Sequence, residues 1–95
     1  MSDDEVRAES RRWIVGAIEA TPGLQLPEET WARLRDPAGD CGFREIGMDS
    51  LAMMEFCINI ECETNVALSV GDVERCGGVN ALAVFLGSRI AADAS

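Results

Sequence analysis

The stretch "FREIGMDSLAMMEF", residues 43–56, decides how the chain is read. Its middle sets Gly47, Asp49 and Ser50 directly against an apolar run. Asp or Ser at such a junction is the ordinary start signal of a helix, because a short oxygen side chain accepts a hydrogen bond from an orphaned N–H of the first turn. A sharper reading is that Ser50 is displayed at a helix N-terminus in order to carry something.

The residues that follow favour the sharper reading. "SLAMMEFCINIECET" predicts a helix over 50–64. On it Phe56, Cys57 and Ile60 share one side, with Met53 alongside. Leu51, Met54 and Ile58 follow i, i+3, i+7 on a different stripe, and Glu55, Glu61 and Glu63 border both. A helix packed on one side of a small bundle needs a single apolar stripe. Two stripes mean either that neighbours nearly encircle this helix, or that one stripe meets a partner that is not always present. The methionine suits a surface that repacks against several partners, and an acidic border steers basic ones. The set Leu51, Met54 and Ile58 beside Ser50 therefore reads as a docking surface.

Working outward, Val6, Trp13, Ile14, Ala17 and Ile18 fall near one face of a first helix over 3–20, which Pro22 and Gly23 end. A long connection over 21–49 follows. In it "PEETWARL" predicts a short helical piece near 28–34, with Pro27 near its first position and Glu28 and Glu29 in its first turn. Trp31, Leu34, Phe43 and Ile46 are apolar anchors that argue for an ordered connection. A short turn is expected over 72–76. Val79, Leu82, Ala83, Leu86 and Ile90 then keep the i, i+3, i+4, i+7, i+11 spacing of a last amphipathic helix over 79–91. No alternating run is long enough for a strand pair. The expected architecture is all-α: one domain over 1–95, a small three-to-four-helix bundle with a long first loop.

Composition excludes several functions. A chain of 95 residues has a modest core and no volume for a large enclosed active site. Its basic residues are eight arginines, against 17 acids, for a formal net charge of −9. That field repels nucleic acid and anionic membranes and favours partners with basic docking surfaces. No apolar run is long enough to span a bilayer, and the acidic "MSDDEVRAESRRW" lacks the features of a signal peptide, so a cytoplasmic monomer is expected. Met1 ahead of a first helix and the short "AADAS" tail favour a stand-alone protein over a domain of a larger synthase. Cys41, Cys57, Cys62 and Cys76 form no C-x-x-C pair and have no histidine to assist them, so no metal site is expected and these thiols read as inert core residues. The absence of histidine also removes the base of a Ser-His-Asp hydrolase, and no G-x-S-x-G elbow is present. Ser50 is then no nucleophile activated within its own chain.

The segment "F-R-E-I-G-M-D-S-L" resembles the acyl carrier protein pattern, in which an aromatic and an aliphatic residue precede G-x-D-S-L and a helix follows. The resemblance runs from about Phe43 to Leu86, and the order of helices fits it. It implies that Ser50 carries covalent 4'-phosphopantetheine donated from coenzyme A. It implies too that Asp49 helps hold magnesium and cofactor while a separate phosphopantetheinyl transferase acts. Leu51, Met54 and Ile58, with Glu55 and Glu61, match the family's recognition positions for acyl-loading, condensing and tailoring enzymes. Such a carrier needs no catalytic residues of its own.

Departures from the pattern point away from housekeeping fatty-acid synthesis and toward polyketide or related natural-product assembly. Ala52 replaces an acid common in fatty-acid carriers, Cys62 interrupts the usual acidic cluster, and Thr64-Asn65 replaces a common Phe-Gly pair. An aminoacyl or peptidyl carrier is a second reading. An unmodified helical adaptor that keeps the carrier fold is a third, from another class.

Overall fold

A computed structural model describes residues 3–36 and 38–94. Six helices account for most of them: α1 (Asp3–Ala20), α2 (Glu28–Arg35), α3 (Phe43–Ile46), α4 (Ser50–Thr64), α5 (Val70–Cys76) and α6 (Val79–Ala94). Among the described residues the sole β pairing is an isolated antiparallel bridge between Gly42 and Gly78. The chain is a small all-α bundle, as its periodicity predicts.

The core forms where α1 packs on α6 and on α4. Ile14, Ala17 and Ile18 of α1 meet Phe56 and Ile60 of α4 and Leu82, Ala83 and Leu86 of α6 in one buried cluster. Gly87 sets the distance between α1 and α6. A Cβ there would lie 2.8 Å from Cγ1 of Val6 and 3.1 Å from Oγ of Ser10, too close for either side chain to stay in place.

The long connection is ordered, and a buried arginine explains much of that order. Arg11 is 8% exposed. Its Nε donates to Oδ1 of Asn80 at 3.0 Å, and its Nη1 donates to the Leu34 carbonyl at 2.6 Å. Nη2 donates to the carbonyls of Arg33 and Gly39 at 3.1 and 3.0 Å. Asn80 then ties back through Nδ2 to the Gly39 carbonyl. One side chain of α1 thus fastens the C-terminal end of α2, the connection and the start of α6. The anchors Leu34, Phe43 and Ile46 are buried and Trp31 is half-buried.

Three boundaries differ from the sequence expectation. α3 is a single turn too short to carry a periodic signal, and it lies inside the segment read as loop. α5 begins at Val70 because Ser69 and Asp72 form a reciprocal capping box, which moves the start ahead of Asp72. α6 runs on to Ala94. The cysteine expectation also needs correction: Cys41 and Cys57 are buried, but Cys76 is half-buried and Cys62 is exposed on α4. Among the described residues no helix is long and apolar enough to cross a membrane, and no His/Cys/Asp/Glu cluster suits a metal ion.

Candidate functional site

The approach to Ser50 is built from three local decisions. α3 ends on Gly47, whose φ of 75° and ψ of 34° reverse the chain in a conformation that glycine enters without strain. Met48 follows, half-buried. Asp49 then takes an extended backbone, and its Oδ1 accepts the N–H of Ala52 at 2.8 Å as the N-cap of α4. The two helix-start candidates of the sequence therefore divide the work. Asp49 caps, which leaves Ser50 as the first residue of α4, exposed and with no hydrogen-bond partner for its hydroxyl among the described residues.

No other described serine combines these properties. Ser10 is buried against α6. Ser69 also stands at a helix start, but its hydroxyl accepts the N–H of Asp72 at 3.1 Å and is the cap itself. Ser88 is exposed within α6, away from any helix start.

α4 is held rigidly on one side and bare on the other. Ala52, Met53, Phe56, Cys57 and Ile60 are buried. The Phe56 ring meets that of Phe43 at 5.8 Å between centroids and a 56° tilt, so α3 and α4 share one apolar joint beneath the turn that holds Ser50. α3 is fastened in turn to the α5–α6 junction. The Phe43 N–H donates to the Gly77 carbonyl and the Val79 N–H to the Cys41 carbonyl, both at 3.0 Å.

The second stripe faces outward. Leu51, Met54 and Ile58 are 64%, 54% and 55% exposed, which decides between the two explanations of the doubly apolar helix: it is not encircled. Glu61 is exposed on the same side and Glu55 is half-buried. The structure thus brings Ser50, Leu51, Met54, Glu55, Ile58 and Glu61 onto the open side of one helix, with Asp49 at its head.

Compared with known proteins, residues 29–86 match the family described as phosphopantetheine attachment site. The chain belongs to this family. The match covers more than half of the sequence and spans α2 from Glu29 through α5 and into α6. No curated protein and no solved structure matches the chain significantly.

Family membership makes the protein a carrier of covalently attached 4'-phosphopantetheine and not a catalyst. The head of α4 fits such a group. A phosphodiester on the first helical residue lies beside N–H groups that have no acceptor within the helix, at the positive end of its dipole. An exposed placement of this kind favours an anion by roughly 0.3–1 kcal/mol. The group itself supplies the thiol on which cargo is held; the chain supplies position and address.

Proposed function

We propose that Ser50 is the attachment point, and that α4 presents acyl thioesters to the enzymes of a polyketide or related natural-product pathway. The free, exposed hydroxyl at the head of α4 carries the proposal. The phosphopantetheine phosphate of coenzyme A is transferred to Ser50 Oγ, the hydroxyl proton passes to a base on the transferase, and the nucleotide bisphosphate leaves. Asp49 immediately precedes Ser50, and its second carboxylate oxygen, Oδ2, is unpartnered among the described residues, which suits a role in holding the transferase's divalent cation.

The partner surface is Leu51, Met54 and Ile58, flanked by Glu55 and Glu61. An apolar centre supplies burial on docking, and the acids supply encounter rate and register with a basic enzyme surface. One position supports a specialised pathway. Ala52 is buried, so this chain places no carboxylate directly after Ser50-Leu51. Asn65 closes α4 at φ 62°, a left-handed conformation that Asn tolerates, so this departure from the common glycine leaves the helix end unchanged and does not bear on the pathway. The free cysteines fit a reducing, cytosolic setting.

Co-expression with a broad-specificity phosphopantetheinyl transferase tests the proposal. Wild type is expected to gain the mass of one phosphopantetheine, and Ser50→Ala to gain none while keeping its helical circular-dichroism signal. Ile58→Glu is expected to raise KM for the transferase while one arm is still added at saturation. Equal modification of wild type and Ser50→Ala contradicts the assignment.

A further inference from the structure

The charges of this acidic protein are unevenly spread. α4 carries Glu55, Glu61 and Glu63 and no arginine. Four of the eight arginines, Arg7, Arg11, Arg12 and Arg35, line a single open cleft of about 720 Å³ between α1 and the end of α2. Only two carboxylates, Asp4 and Glu19, share that lining, and no residue of α4 does.

The arginines there are not locked in strong ion pairs. Arg11 is nearly buried and spends its donors on the side-chain oxygen of Asn80 and on three carbonyls, so among the described residues no carboxylate pairs with it. Arg12 is exposed and has no ion pair among the described residues. Arg7 meets Asp4 at 3.6 Å and Arg35 meets Glu28 at 3.2 Å, both pairs well exposed. Exposed pairs of this type are worth little and exchange readily for another carboxylate. Half-buried Val15 and exposed Ala8 and Ala38 supply the cleft's accessible apolar lining.

We propose that this cleft docks an acidic amphipathic segment of a protein partner, its carboxylates on Arg12 and Arg35 and an apolar side chain on Val15 and its alanine neighbours Ala8 and Ala38. The charge complementarity is opposite in sign to that of α4, so the basic surfaces that suit α4 do not suit the cleft. A partner held there leaves Ser50 and the stripe Leu51, Met54 and Ile58 uncovered. The carrier is thereby able to be tethered by one protein while it serves another. This inference does not depend on which cargo the carrier holds.

The probe is a synthetic helical peptide of repeated Glu and Leu residues, titrated into the isotope-labelled full chain at low salt and followed by amide chemical shifts. Shifts confined to the cleft, centred on Arg12, Val15 and Arg35, are expected. The double variant R12E/R35E changes two exposed side chains and leaves Arg11 intact, so the fold is kept. It should weaken the peptide at least tenfold while the mass gained at Ser50 with the transferase stays the same. Shifts centred on α4, shifts scattered over the surface, or equal affinity for the double variant overturn the proposal. So does concentration-dependent self-association that R12E/R35E abolishes, because the cleft then belongs to a second copy of the chain.

Discussion

At the residue scale, the division of labour between Asp49 and Ser50 makes a separable prediction. Asp49→Ala removes the cap on the Ala52 N–H and should cost about 0.5–2 kcal/mol in urea unfolding. Asp49→Asn keeps an acceptor oxygen and should unfold close to wild type. If the Asp49 charge also serves arm transfer, Asn will slow phosphopantetheinylation in spite of its intact stability. A transfer rate equal to wild type would confine Asp49 to capping.

The cysteines are a second residue-scale test. Cys62 is exposed and should alkylate first under native conditions, Cys76 more slowly, and Cys41 and Cys57 only as the protein opens; peptide mapping after timed alkylation reads the order directly. Burial pushes the Cys57 thiol up from its ordinary value of 9.0, with Asp72 adding to the rise, and burial followed by Glu45 does the same at Cys41. A thiol raised in the folded state stabilises fully below the unfolded value and loses that contribution as pH climbs through the folded one. Stability should therefore fall above pH 9.0, and Cys57→Ala should flatten that decline. Asp72 behaves oppositely. Its hydrogen bonds at Ser69 hold the carboxyl below its ordinary 3.8, so its contribution is lost as pH falls through the depressed value.

At the element scale, the sequence was legible where period and packing agree. The spacing of Ile14, Ala17 and Ile18, and that of Val79, Leu82, Ala83 and Leu86, placed α1 and α6 with their core faces. The two stripes of α4 were separable on paper, and Leu51, Met54 and Ile58 emerged exposed. α3 was not legible, because four residues make no period and its order comes from Phe43 packing on Phe56 and from the Gly42–Gly78 bridge. Nor was Arg11, an arginine in the middle of an amphipathic helix that reads as solvated until the α2 carbonyls arrive beside it. Arg11→Met should leave the buried Leu34 carbonyl unpaired at roughly 1–3 kcal/mol and loosen the connection, visible as faster amide exchange over residues 38–42. Gly87→Ala should force α1 from α6 and cost about 1–3 kcal/mol, measured by thermal unfolding.

At the scale of the whole molecule, the fold is a rigid mount with one outward helix. Its formal charge of −9 is concentrated away from the α1–α2 cleft, so the cleft and α4 differ in charge. Docking of basic enzymes on α4 should weaken steeply with salt, mainly through slower association, since long-range steering is screened beyond about 8 Å at physiological ionic strength. In the proposed function, a hydroxyl, a cap and a bare apolar stripe do the work, and the rest of the chain holds these three in register.

The most direct measurement is tandem mass spectrometry of the modified protein, which locates the arm on a single residue. Phosphopantetheine is expected on Ser50 alone. Phosphopantetheine on another serine would contradict that expectation, as would a Ser50 that remains unmodified while the protein as a whole gains the mass.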